Sequence, residues 1–274
     1  MTQDERLEKL LLRFLADSSE YGNLRPEGGV EENRRMLRSL MNVREPGSMD
    51  LETLRLQDEY LRQRAEEKGI VYLSDIPTLD GQVKCGERLS LWQGDITRLA
   101  VDAIVNAANS EMLGCFVPMH NCIDNCIHTF AGVQLREECF RQMTRLRRRR
   151  GQNYRQPTAV PMLTDAYNLP AKKVIHIVGP IVQYGLTPKL EQDLSNCYKN
   201  TLDMCMDNNL RSAAFCCIST GVFHFPPERA AEIAVSTVTR WLEDHPSQMD
   251  RVIFNVYDDN NRSIYENLLS PFLS

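Results

Sequence analysis

No apolar run in this chain approaches the ~18 residues that a membrane span requires, and its opening, MTQDERLEKL, lacks the basic-then-apolar order of a secretory signal. A protein that stays where it is made, in the reducing cytoplasm, is therefore expected. A disulfide framework is missing too: the nine cysteines fall at irregular spacings, so thiols, core residues or metal ligands are expected of them. Positive charge is not in excess, with 32 Lys and Arg against 37 Asp and Glu and a net charge of -5, which argues against a nucleic-acid partner. The one basic run, residues 145–150, closes a predicted helix where cations are favoured anyway. Neither a Gly-Lys-Ser/Thr phosphate loop nor a Gly-x-Gly-x-x-Gly fingerprint occurs, and internal repeats and low-complexity segments are absent.

What is present begins with helical periodicity. Leu7, Leu10, Leu11 and Phe14 recur at amphipathic spacing, a second pattern follows at Met36, Leu37, Leu40 and Met41, and a third covers residues 50–68. Residues 1–70 thus read as an N-terminal helical extension. After Gly69 comes a polar connector, YLSDIPTLDGQVKCGE, and then strand candidates alternate with helical windows. The strands are expected in RLSLWQGD and VDAIVNAAN and at 159–163, 173–178, 213–218 and 251–257; the helices at 128–150, 188–208, 228–243 and 263–269. Such alternation predicts a three-layer α/β/α sandwich with a mixed, largely parallel central sheet over residues 71–274. Sites in such sheets lie at the C-terminal ends of the strands, so the polar tails of these runs are expected to line one cleft.

Three cysteines and two histidines fall within LGCFVPMHNCIDNCIH, residues 113–128. Cys115, His120 and Cys122 follow Cys-x4-His-x-Cys, a spacing at which one short loop can wrap a zinc ion and leave its fourth position open. Cys126 or His128 could instead close the site. Core thiols and a single reactive cysteine remain as competing readings, although a reactive thiol needs a base and a lowered pKa. Pro118 suits a shaped loop, and Asp124 reads as a helix N-cap that can also face a ligand.

The strand ends add Asp95, able to accept from an exocyclic amine or to make an Asx turn. They also add Asn106 and Asn109, the latter able to hold sugar hydroxyls. In CCISTGVFHFPPE, Ser219, Thr220 and Gly221 follow a buried strand candidate, where backbone N–H groups can face a diphosphate or simply cap the strand with Phe223 and Phe225 packed as core. His176 reads as a hydrogen-bonded core histidine.

GDITRLAVDAIVNAAN, LGCFVPMHNCIDNCIHTFAG, YNLPAKKVIHIVGP and ISTGVFHFP occur in the order seen in macrodomains, the ADP-ribose-binding module, and the resemblance covers about residues 88–270. With the helical extension and the Cys-x4-His-x-Cys insertion, the chain resembles the zinc-containing branch of MacroD-type protein ADP-ribosylhydrolases. The resemblance implies hydrolysis of single ADP-ribose units from acidic side chains of modified proteins, with zinc as cofactor. It places the adenine amine on Asp95, with the backbone of Ile96 beside it, and the distal ribose on Asn109. The zinc goes to Cys115, His120 and Cys122. Cys122, Ile123, Asp124 and Asn125 border the diphosphate and distal ribose, and Ser219, Thr220, Gly221, Val222 and Phe223 form the second phosphate loop. Asp124 and Asn109 are the implied catalytic residues.

The implied partners are ADP-ribose and mono-ADP-ribosylated protein, including a lipoate-carrying glycine-cleavage H-like protein modified by a sirtuin-like transferase. Nucleic acid and membrane are not expected as partners, and a monomer is. The rival readings are a binding module that does not cleave ADP-ribose and an O-acetyl-ADP-ribose deacetylase. The chain departs from the common MacroD pattern where that family has a glycine run followed by Val-Asp-Gly. GCFVPMHNC and Ile-Asp-Asn stand there instead, and a metal can fix a loop that glycines would otherwise shape. Ala166 stands where a glycine is common.

Overall fold

The computed structural model describes residues 1–26, 28–79 and 83–270, so residues 80–82 of the expected connector lie outside the described residues. The chain forms two compact units: Met1–Ile70 with Glu111–Tyr154 and Ala166–Leu169, and Val71–Ser110 with Arg155–Asp165 and Pro170–Ser274.

The first unit is helical: α1 (Gln3–Asp17), α2 (Val30–Val43), α3 (Leu51–Lys68), α4 (Ile123–Ala131) and α5 (Val133–Arg150). Its ends are written in the sequence. Thr2 and Glu5 close a reciprocal capping box at the start of α1, and Asp50 accepts the Thr53 N–H at the start of α3, each satisfying donors that the helix leaves open. Leu7, Leu10, Leu11, Phe14, Leu37, Leu40, Tyr60 and Leu61 form the core among α1, α2 and α3, each worth about 1.5–3 kcal/mol on burial. The helix expected over 128–150 is two helices, because Gly132 between them takes φ +98°, a left-handed conformation that only glycine adopts cheaply. Arg148, Arg149 and Arg150 are exposed at the end of α5, as a solvated helix end requires.

The second unit carries a two-stranded parallel pair, β1 (Val71–Tyr72) with β3 (Leu99–Ala100), and a six-stranded sheet. The sheet is built from β2 (Leu89–Gln93), β4 (Ala103–Ala108), β5 (Met162–Asp165), β6 (Lys173–Val178), β7 (Ser212–Phe215) and β8 (Arg251–Val256), in the order β2-β8-β7-β4-β6-β5. Every pair is parallel except β5 with β6, the mixed, mostly parallel sheet expected. Helices α6 (Pro188–Asp207), α7 (Pro227–Asp244) and α8 (Asp259–Leu268) complete this unit. Central strands β6 and β8 are buried along nearly their whole length, which explains why they read as largely apolar runs.

From β4 the chain builds β5 and then β6 on one side before crossing to β7 on the other, so the winding reverses between β4 and β7. Their pairing stops after Ala103↔Ala213 and Ile104↔Ala214, while β4 continues to Ala108. Ligands of open α/β sheets sit at such switch points. No helix of the described residues is long and apolar enough to cross a membrane.

Candidate metal centre and active site

In the first unit, the stretch from Gly114 to α4 turns back on itself through two left-handed residues, Gly114 (φ +82°) and Met119 (φ +59°). Glycine is required at the first. A Cβ there would stand 2.7 Å from Cγ of His128. The Val117 carbonyl accepts the His120 N–H at 3.2 Å, turning the histidine back toward Cys115, whose sulfur lies 3.5 Å from His120 Nδ1. Cys122 then caps α4, its sulfur accepting the Asn125 N–H at 3.4 Å. The ligand atoms of Cys115, His120 and Cys122 all lie within 4.8 Å of one another.

These three residues fit a zinc ion. Metal–sulfur and metal–nitrogen bonds of about 2.3 and 2.0–2.1 Å at tetrahedral angles put sulfur and nitrogen roughly 3.5 Å apart, the separation found between Cys115 and His120. Cys126 and His128 are not in this cluster. The competing cysteine readings divide among other positions. Cys139, Cys197, Cys205 and Cys216 are core residues, and burial pushes the last three up to about 12. Burial also raises the Cys122 thiol, and nearby Cys115 and Asp124 push it the same way against a single hydrogen bond from Asn125. A reactive thiolate needs the opposite environment.

Asp124 is not the N-cap that the sequence suggested. Cys122 takes that place, and the aspartate stands in the first turn of α4, 5% exposed, where the helix dipole favours a carboxylate. Its Oδ1 is 3.6 Å from His128 Nε2. Arg136 of α5, pulled down to about 10 by burial, is held up in part by the charges of Asp124 and Glu45. The Asn125 side chain is fully buried and donates to the carbonyls of Cys115 (3.4 Å) and Val117 (3.0 Å). It braces the loop, while the Asn125 main-chain N–H is taken up in capping α4 on the Cys122 sulfur.

In the second unit, Asp95, Asn109 and Ser219 leave the sheet at one edge, after β2, β4 and β7. The Asp95 carboxylate accepts from the Thr97 N–H (2.9 Å) and hydroxyl (2.6 Å), capping a short 3-10 turn at Ile96–Arg98. The Asx turn is therefore real, and Ile96 beside it is buried. Asn109 is half-buried just past β4. Asn106 is buried core: its Nδ2 lies 3.0 Å from His176 Nδ1, and Thr164 Oγ1 lies 3.0 Å from His176 Nε2. Burial drags His176 down to about 3.

Ser219 has φ +67° and a buried hydroxyl with no hydrogen-bond partner among the described residues. Such a group in a native fold calls for an explanation, such as a ligand. Gly179 makes room for it, since a Cβ there would stand 2.0 Å from Ser219 Oγ. The turn is tied by Phe225 N–H to Ser219 O and His224 N–H to Gly221 O, both 3.0 Å, and by Thr220 Oγ1 to Cys217 O at 3.1 Å. Gly221 and Val222 are exposed, Phe223 is half-buried, and Phe225 is core.

One residue at this edge escapes sequence reasoning. Tyr257, placed there within the strand run 251–257, lies just past β8 and is 70% exposed. Because Val256 pairs with Gln93, Tyr257 and Asp95 follow the ends of adjacent strands. Its only signal is an aromatic at the end of an apolar run followed by Asp258.

A family model described as Macro domain matches residues 105–234. A Treponema medium protein named protein-ADP-ribose hydrolase is 45% identical over 270 residues, 98% of this chain and 100% of that protein. A Staphylococcus aureus protein of the same name is 40% identical over 262 residues, 95% of this chain and 94% of that one. Among solved structures, a Trypanosoma brucei macrodomain in complex with ADP-ribose is similar with a TM-score of 0.65 at 26% identity, covering 89% of this chain and 97% of that one.

Proposed function

The chain belongs to the macrodomain family, and from that membership we propose that it is a zinc-dependent hydrolase that removes single ADP-ribose units from acidic side chains of proteins. The observation that carries the reading is the convergence of Cys115, His120 and Cys122 within 4.8 Å, two residues before a buried aspartate on a helix N-terminus.

Cys115, His120 and Cys122 would hold the zinc, which would supply a Lewis-acidic centre when bound. Asp95 accepts the adenine amine, the ring of Tyr257 stacks on the base, and the backbone of Ile96 lies beside it. Asn109 holds hydroxyls of the distal ribose. Ser219, Thr220, Gly221, Val222 and Phe223 wrap the diphosphate, with the Ser219 hydroxyl gaining the partner that it lacks among the described residues. The main-chain N–H of Ile123 at the start of α4 favours negative charge.

Asp124 positions a water molecule and accepts its proton as the water oxygen bonds to the ribose. The bond from ribose to the side-chain carboxylate breaks, and the carboxylate leaves with its electron pair. The products are free ADP-ribose and an unmodified Asp or Glu. The target implied by the resemblance, a lipoate-carrying glycine-cleavage H-like protein modified by a sirtuin-like transferase, is the first substrate to test.

Elemental analysis beside a demodification assay tests the proposal. One zinc per chain and release of ADP-ribose are expected from the native protein, with both lost in Cys122→Ala. Binding of ADP-ribose without release would make the protein a reader, and turnover confined to O-acetyl-ADP-ribose would make it a deacetylase.

A further inference from the structure

We infer that α2 is the template on which the metal loop is formed, with Arg38 and Asn42 as positioning residues for the ligands; the inference rests on the metal reading proposed above. The two side chains are four residues apart on α2 and so share one face of it. That face is distinct from the apolar one, where Leu37, Leu40 and Met41 enter the core.

Asn42 is 1% exposed. Its Oδ1 accepts the Met119 N–H at 3.0 Å and its Nδ2 donates to Thr129 Oγ1 at 2.9 Å. Met119 is the left-handed residue ahead of His120, a conformation unfavourable for a non-glycine residue that persists where its surroundings enforce it. The Asn42 amide is such an enforcement. It anchors the strained peptide that aims the histidine.

Arg38 works on the same loop from one turn earlier. Its Nη2 donates to the His120 carbonyl at 3.0 Å and to Asn125 Oδ1 at 2.8 Å, with Cys126 Sγ at 3.7 Å. By taking Asn125 Oδ1, it fixes which way that amide faces, so that Nδ2 meets the carbonyls of Cys115 and Val117. Thr129 closes the circuit by donating to the Asn125 carbonyl at 2.8 Å. Cys115 and His120 are thus tied through their own or adjoining main-chain groups to α2, and Cys122 is fixed as the cap of α4.

The far end of α2 is locked as well. Arg136 donates through Nη1 to the carbonyls of Met41 (3.2 Å), Asn42 (2.8 Å) and Arg44 (2.5 Å), and through Nε to Leu113 O at the loop base (2.8 Å). Ordering a loop costs backbone entropy at every residue. With α2 in place that cost is met during folding rather than when metal binds. The N-terminal helices thereby act on the chemistry as well as on stability.

The test uses the full chain with Arg38→Met, Arg38→Lys and Asn42→Leu. Zinc affinity is read by chelator competition, and amide exchange at Met119 and His120 is read in the metal-free protein. Loss of an outer partner typically lowers metal affinity about 10–100-fold, and that loss is expected for Arg38→Met and Asn42→Leu. Arg38→Lys, which keeps a donor, recovers most of it. In the metal-free protein the Met119 amide should exchange about tenfold faster in Asn42→Leu, with the thermal midpoint of Arg38→Met close to that of the native protein. Native zinc affinity together with native exchange in Arg38→Met and Asn42→Leu overturns the inference. A native protein that takes up no zinc overturns the metal reading instead, while the exchange measurement still decides whether α2 orders the loop.

Discussion

The Asp124 carboxylate lies 3.6 Å from Nε2 of His128, one turn further along α4, and the two side chains are only 7% and 3% exposed. Two polar groups so deeply buried hold each other's orientation, since a shift of either costs a contact that water cannot replace. His128 is thus a positioning residue for the proposed base. His128→Asn should lower the rate of ADP-ribose release about tenfold, or ~1.4 kcal/mol in the barrier, with ADP-ribose affinity unchanged by calorimetry. An unchanged rate would remove His128 from the account.

The same imidazole sets the identity of residue 114. Gly114→Ala adds a Cβ 2.7 Å from the His128 ring at φ +82°, combining overpacking with backbone strain. A loss of about 1–3 kcal/mol is expected, seen as a drop of several degrees in thermal midpoint. Gly47→Ala, with nothing within 4 Å, is the control and should leave the midpoint in place.

His176 makes stability depend on pH. Its folded pKa is depressed to about 3 by burial, from an ordinary 6.5. Between those values the unfolded chain holds a proton that the folded chain does not, so the stabilisation is complete above about 6.5 and declines as pH falls toward 3. The slope is about 1.4 kcal/mol per pH unit for one such group. Urea unfolding from pH 7 to 4 should show a pH slope about one proton shallower in His176→Gln than in the native protein. Equal slopes would mean that the imidazole is not buried in neutral form.

At the sheet edge, Gly179→Ala drives a methyl group to 2.0 Å from Ser219 Oγ and must displace the serine. ADP-ribose affinity should fall at least tenfold, or ~1.4 kcal/mol, and Ser219→Ala should weaken binding by a smaller factor. Native affinity in Gly179→Ala would take Ser219 out of the phosphate loop.

What the sequence made legible is what is local. Cys115, His120 and Cys122 fall within eight residues, so spacing alone brings them together, and most strand runs are legible because burial on both faces leaves a largely apolar signature, although the run expected at 159–163 is displaced to Met162–Asp165. The helix cap was misread because Cys122 is a weak acceptor that cap preferences pass over; here the sulfur is placed by the loop and takes the Asn125 N–H. Tyr257 was hidden because an exposed aromatic after a buried strand looks like one more strand residue. Arg38 and Asn42 were invisible for a different reason: they reach Asn125 and Met119 across 87 and 77 residues, and nothing in either neighbourhood marks the pairing.

The proposed chemistry rests most directly on Asp124. Native protein and Asp124→Ala, both loaded with zinc, are compared on a protein carrying ADP-ribose on glutamate, with release followed by chromatography and ADP-ribose affinity by calorimetry. The account predicts stoichiometric release by the native protein and a fall of at least ~100-fold in the variant, with affinity within a few-fold of native. Release at the native rate by Asp124→Ala would contradict it.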